Sequence, residues 1–453
     1  MAQAATTLKR NLPPGPRGLA AFGNIINFGR DWTGFLSRCQ REYGDIAYFR
    51  FLNVPFCLVA HPDWIEEILV KNAANFEKSR DYRALKAVLG NGLLTSEGSF
   101  WQKQRKLIQP AFRHENILSY GRVITQAATT MLDTWRDGET REVHHDLMGV
   151  TLDVVAKSLF GSDVSQTARG VGEAMDTVMN LFIDQANWAF LLPEKLPIPK
   201  SGRLRKAIQH LHGVVEKIIR ERRGCPSRTS DLLQTLLEMR DESGVGMSDG
   251  QLRDEVTTLF LAGHETTANA LTWTLYLLSQ NPEKQEALQK ELHNVLGGRA
   301  PEASDLPRLV YTDMVVKEAM RLYPPAWGIG RRAIKGFELG SYWIPAGTNV
   351  FLLQWITHRD ARFYPRPEKF ESERWRDDPM RSGKLPRFAY FPFGGGPRVC
   401  VGAGFAMMEA TLLLAALARR FRFELVPGQD LEPLFSVTLR PKQGMKMVVR
   451  ERG

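Results

Sequence analysis

The chain has 453 residues, 43% of them hydrophobic and 24% charged. This ordinary globular composition suits two or three average domains or one large enzyme domain. The formal charge of +10, from 60 Lys and Arg against 50 Asp and Glu, is spread along the chain and admits nucleic acid, an anionic membrane or an acidic protein as partner. With no nucleic-acid motif beside it, the acidic protein is the expectation.

The first ten residues lack the apolar core of a signal peptide. No window approaches about eighteen uninterrupted apolar residues, so no transmembrane helix is predicted. Four cysteines (Cys39, Cys57, Cys225 and Cys400) without Cys-x-x-Cys pairing argue against a disulfide framework and a structural zinc site, and they suit a reducing, cytoplasmic compartment.

In chain order, Leu12-Pro-Pro-Gly-Pro-Arg-Gly18 reads as a stiff, extended entry. Residues 45–60 read as two strands about a turn, and helical patterns then dominate to about residue 325. Trp101-Gln-Lys-Gln-Arg105 puts an aromatic ring and a guanidinium one helical turn apart, and Lys103, Arg105, Lys106 and Arg113 are read as a basic face of that helix. A long helix is predicted from Ser248 to Ser279, opened by a capping box at Ser248-Asp-Gly-Gln251 and closed before Asn281-Pro282.

Inside the long helix lies Ala262-Gly-His-Glu-Thr-Thr267, whose glycine and threonines are poor helix formers. Gly263 removes a side chain where a diatomic ligand would sit. The Thr266 hydroxyl can take over a backbone bond, and Glu265 can feed protons. His264, a lone histidine, is read as solvent-facing or structurally bonded. Glu318-Ala-Met-Arg321 puts opposite charges on one helix face just before Tyr323-Pro-Pro325.

Gly328-Ile-Gly-Arg-Arg-Ala333 fits the letters of a dinucleotide-binding turn, but it follows prolines instead of a buried strand and no helix pattern comes after it. Short strands are predicted near 333–350 and 435–449, with Gly336, Gly347 and Gly444 at turns. The expectation is one mainly α domain over residues 1–453 with a minor β region, residues 1–18 being the extended proline-rich segment.

The most informative run is Phe393-Gly-Gly-Gly-Pro-Arg-Val-Cys-Val-Gly402. Its glycines allow positive φ and close approach to a flat ligand, and the buried-helix pattern from Val401 to Arg420 places Cys400 at a helix N-terminus, where a thiolate is favoured. The pattern suggests a thiolate that ligates one metal-bearing cofactor, with Arg398 close enough in sequence to pair with a carboxylate of that cofactor.

This run resembles the haem-binding signature of the cytochrome P450 family, Phe-x-x-Gly-x-Arg-x-Cys-x-Gly, at every defined position. The resemblance extends in order through the proline segment, Trp-x-x-x-Arg, the oxygen-activation motif at 262–267, Glu-x-x-Arg and the arginine of Phe370-Glu-Ser-Glu-Arg-Trp375. It implies a helical haem domain with small antiparallel sheets. It implies haem b with Cys400 as axial thiolate, Phe393, Gly394 and Gly402 around it, and Arg398, Arg332, Trp101 and Arg105 at its propionates.

By the same resemblance Thr266 and Glu265, beside Ala262 and Gly263, handle protons during oxygen activation, while Glu318, Arg321 and Arg374 form a network that retains fold and cofactor. The implied reaction inserts one atom of O2 into a C–H or C=C bond of a hydrophobic terpenoid, steroid or fatty acid. Electrons would come to a monomer from a ferredoxin or flavodoxin with its NAD(P)H reductase, docked near the basic helix and Arg419 and Arg420.

Implied pocket-lining stretches are Tyr82–Leu94, Leu181–Leu192 with Phe182, Trp188 and Phe190, Leu259, Ala262, Ala326–Ile329 with Trp327, and Phe435–Val437. A peroxide-driven enzyme or isomerase and a haem sensor remain as alternatives, although such enzymes tend to replace the Glu-Thr pair that is intact here.

Overall fold

The computed structural model describes residues 11–161, 174, 177–178, 201–224, 231–240 and 244–452, without the side chains of His114 and Phe160. The candidate lining stretch 181–192, with Phe182, Trp188 and Phe190, and Cys225 lie outside the described residues. The chain forms two compact units: Met1–Asp81 with Gly328–Pro367 and Leu385–Val399, and Tyr82–Trp327 with Glu368–Lys384 and Cys400–Gly453.

The first unit is built on a five-stranded sheet. Ile46–Phe51 and Val54–Val59 pair antiparallel about a turn in which Leu52 takes φ 52°, as the two strands expected at 45–60 require. Val54–Val59 continues parallel to Asn349–Leu352, which pairs antiparallel with Ile329–Ala333, and that strand with Phe76–Lys78. Alternating apolar side chains of these strands, among them Cys57, Val59, Val350 and Leu352, pack with Ile65, Ile68, Phe388 and Phe391 into one buried cluster. Ile329–Ala333 is followed by the strand Phe337–Leu339, so the Gly-x-Gly-x-x-Ala letters belong to a sheet and not to a phosphate-binding turn.

The second unit is mainly helical. Its longest element, Asp249–Gln280, begins at Ser248, whose side chain accepts the Gln251 amide at 3.3 Å, and it stops before Pro282 as the sequence predicts. Nearly every side chain from Leu252 to Leu278 is buried, the pattern of a helix enclosed on all sides. Its polar residues survive there because the Thr258, Thr272 and Thr274 hydroxyls each donate to the carbonyl four residues back, at 2.8, 2.8 and 2.7 Å. Ala403–Arg420 is the second apolar helix, opening at Gly402, two residues later than expected. Antiparallel strands close the unit: Thr140–Glu142, Lys446–Glu451 and Phe421–Leu425 in one sheet, Pro433–Phe435 and Leu439–Pro441 in a hairpin.

Glu318 and Arg321, in the helix Val310–Leu322, are wholly buried. Arg321 Nε and Nη2 donate to the two Glu318 oxygens, each at 2.9 Å. Arg374 Nε, the Trp375 indole and the Glu371 amide donate to the same carboxylate at 3.2, 2.9 and 2.9 Å. The carboxylate is thus saturated, as a buried charge requires.

Glu318→Gln keeps the shape and leaves Arg321 without its counter-charge. Urea denaturation should show a loss of about 3–5 kcal/mol. Lys284→Ala, which breaks the half-exposed 2.8 Å pair with Glu373, should cost about 1 kcal/mol or less.

Candidate functional site

Cys400 lies two residues before Gly402, the N-terminal cap of Ala403–Arg420. The residue keeps exposed surface even though protein atoms crowd its sulfur. The exposed surface matters more for reactivity, because it is what a ligand reaches. Crowding pushes the thiol up, and the Gly402 amide and the Arg105 guanidinium pull it back toward thiolate. Arg105 is itself drawn down by burial and held up by Cys400. It shares the helix Gly98–Ile108 with Trp101, so the predicted pair and the cysteine belong to one neighbourhood.

Among the described residues no group of three His, Cys, Asp or Glu side chains can hold a bare metal ion. Cys400, an exposed residue with an amide and a guanidinium beside its thiol, suits a metal that brings its other ligands with it. The donor set fits haem.

On the long helix Ala262 is exposed, Gly263 and Thr266 are half-buried and Glu265 is buried. The Thr266 hydroxyl donates to the Ala262 carbonyl at 2.7 Å, the backbone bond that the sequence suggested it could take. A Cβ on Gly263 would stand 2.8 Å from Val155 Cγ2. The missing side chain thus lets the helix Val143–Phe160 pack closely. His264 is buried, its carbonyl accepts the Thr151 hydroxyl at 2.9 Å, and burial drives its imidazole down to about 4. It is a neutral structural residue.

Glu265 faces a residue that sequence reasoning did not single out: Arg440 Nη1, 3.8 Å from Glu265 Oε1, with both side chains buried. Nothing in Thr438-Leu-Arg-Pro441 marks such a pairing except an arginine inside a predicted strand. Glu409 was also missed, although it is the only acid in the apolar run 401–420 and so carried a signal.

The predicted lining residues Trp327 and Phe435 meet edge to face, ring centroids 5.7 Å apart, and the Trp327 indole donates to the Ser436 carbonyl at 2.9 Å. The loop after Tyr82–Leu89 is held on the long helix by two further acids, Asp254 accepting the Asn91 amide and Glu255 the Leu93 amide, both at 2.8 Å.

The remaining predicted residues lie in the first unit. Gly394 and Gly396 take φ +72° and +66°, and a Cβ on Gly396 would fall 1.8 Å from the Leu69 carbonyl oxygen, so only glycine fits there. Phe393 and Arg398 are half-buried. Arg332 pairs with Glu77 at 3.3 Å.

The basic face differs from expectation. Lys103 and Lys106 are exposed on Gly98–Ile108, but Arg113 lies beyond that helix, after the turn Gln109–Phe112. Arg419 donates to the Gly298 carbonyl and Arg420 to Asp133, each at 2.6 Å, which draws both arginines into structural bonds.

The cytochrome P450 family model matches residues 13–448. The chain is 36% identical over 422 residues to cyclooctatin synthase of Streptomyces melanosporofaciens, covering 92% of this chain and 91% of that protein. It is 31% identical over 441 residues to pentalenene oxygenase of Streptomyces avermitilis, covering 96% and 97%. Among solved structures it is similar to retinoic acid-bound cyanobacterial CYP120A1, with TM-score 0.87, 29% identity and coverage of 98% of this chain and 100% of that one.

Glu409 yields a pH prediction. Its oxygens lack a well-aligned donor, and burial pushes the carboxyl from its ordinary 4.5 to about 8, with only the Thr267 hydroxyl pulling the other way. Between those values the folded protein keeps a proton that the unfolded chain has released, so stability falls as pH rises through the window. Glu409→Gln removes this dependence. Its urea stability should gain on the parent from about pH 5 to about pH 8, by a few kcal/mol in order of magnitude. A constant difference across that range would mean that Glu409 is ionised in the fold.

Proposed function

Since this chain belongs to the cytochrome P450 family and is an oxidoreductase of the monooxygenase class, we propose that Cys400 is its axial thiolate and that it oxygenates terpenoids. The observation that carries the first part is the exposed residue Cys400, with the Gly402 amide and the Arg105 guanidinium acting on its thiol, at the head of an apolar helix. Haem bound through such a thiolate supplies reductive activation of O2 and transfer of one oxygen atom.

This chain's residues do the rest. Arg105 and Trp101 hold the propionate side. For Arg332 and Arg398 that role rests on the sequence pattern. Glu265 moves protons at its carboxylate, and the Thr266 hydroxyl orders the groove side of the long helix. Phe435 and Trp327 offer an apolar wall that suits a hydrocarbon skeleton, and the two Streptomyces relatives named above support a terpenoid.

The family generally takes its electrons from redox partners. No described helix is long and apolar enough to cross a membrane, and the thiols of Cys39 and Cys57 suit the cytoplasm. For this chain we assign an acidic ferredoxin or flavodoxin, which Lys103 and Lys106 would attract.

Two experiments test this reading. Cys400→Ser should abolish the shifted Soret band of the reduced carbon monoxide complex, from which the family takes its name, while replacement of Cys39 or Cys57 leaves it. Retention of the band in Cys400→Ser would refute the assignment. Titration of the holoprotein with terpenoids, steroids and fatty acids should give its largest low-spin to high-spin change with a terpenoid.

The donor is tested by rate. Encounter between charged surfaces is screened over roughly 8 Å at physiological ionic strength. Reduction by an acidic ferredoxin should slow as salt rises, and Lys103→Glu with Lys106→Glu should slow it at low salt without altering the substrate-induced spin change. A rate insensitive to both would place the donor elsewhere.

A further inference from the structure

The Glu265–Arg440 pair stands where two parts of the second unit meet: the long helix that carries Thr266 and the hairpin that carries Phe435. The two side chains are 2% and 9% exposed and their charged atoms 3.8 Å apart. At that depth an ion is costly without its partner, and attraction between opposite charges is stronger than in water.

The helix fixes the backbone around Arg440. Asn269 Nδ2 donates to Thr438 Oγ1 at 3.0 Å, and the Trp273 indole donates to the Leu439 carbonyl at 3.2 Å. Glu265, Asn269 and Trp273 are spaced four residues apart and share one helix face, so three successive turns grip three consecutive residues of the hairpin. His144 Nε2 lies 3.0 Å from Asn269 Oδ1 and buttresses the middle contact. Across the same turn the hairpin meets Trp327 through Phe435, which pairs with Leu439, and Ser436.

We propose that Arg440 is the positioning residue of Glu265, and that this hairpin ties the apolar wall at Phe435 and Trp327 to proton handling at Glu265. The guanidinium, 3.8 Å from Oε1, holds the buried Glu265 carboxylate in place for proton handling. A substrate that presses on Phe435 bears on the same hairpin that presents Arg440. The inference rests on the proton-handling reading of Glu265.

The test uses the holoenzyme with a surrogate ferredoxin system and four variants: Arg440→Gln, Arg440→Lys, Glu265→Gln, and Arg440→Gln with Glu265→Gln. Product per NADH should fall about tenfold or more in Arg440→Gln, recover in large part in Arg440→Lys, and fall no further in the double variant than in Glu265→Gln. Independently of turnover, the urea midpoints of the two single variants should drop by more in sum than the midpoint of the double variant does.

Parent-like coupling in Arg440→Gln, or additive midpoints, overturns the proposal while leaving Glu265 its role. Parent-like coupling in Glu265→Gln sinks both. If Arg440→Gln alone cannot retain haem, recovery of haem in the double variant supports the pairing and continued loss overturns it.

Discussion

A carboxylate taken out of water must find other partners or give up its charge, and the second unit is organised around three answers to that constraint. Glu318 receives five donors from Arg321, Arg374, Trp375 and the Glu371 backbone. Glu265 has the Arg440 guanidinium at ion-pair distance. Glu409 keeps its proton because burial outweighs the pull of Thr267. The first answer makes a structural knot, the second an ion pair between two distant segments, and the third a neutral side chain whose cost appears only as pH rises. The number and kind of donors decide which answer a buried carboxylate takes.

The same reasoning singles out one sulfur among the described cysteines. Burial pushes the Cys39 thiol to about 12 and raises that of Cys57 as well, and both residues are buried. Protonated and out of reach, neither can act as a nucleophile or ligand. Cys400 is also crowded, and its thiol is pushed up too, but it alone of the three keeps exposed surface, and a guanidinium and a helix-start amide offset part of that push. Access and neighbouring charge together support the proposed metal-binding role.

Placement also separates residues that look alike in sequence. Gly263 and Gly396 both stand in functional motifs. The first admits the Val155 side chain of a neighbouring helix, and the second admits the Leu69 carbonyl at a positive φ. Lys103 and Lys106 are exposed, and Arg419 and Arg420, equally basic on paper, bond a backbone carbonyl and Asp133.

What the sequence determined by itself was local or motif-borne. The bounds of Asp249–Gln280 follow from Ser248 and Asn281-Pro282, because caps and prolines act within a turn or two of themselves. The strands near 46–59 follow from alternation about a tight turn. Cys400 with its glycines, Glu318 with Arg321, and Trp101 with Arg105 were legible because their members lie within a few residues of each other, so chain geometry alone limits where they can point. The tertiary structure decided whatever joins distant segments: Arg440 reaching Glu265 across 175 positions of sequence, Asp254 and Glu255 holding the loop at Asn91 and Leu93, Phe435 meeting Trp327, and Glu409 losing its charge among apolar neighbours. Nothing in a local pattern encodes which faces will be buried against each other, and burial is what turns an ordinary arginine or glutamate into a partner, a switch or a neutral acid.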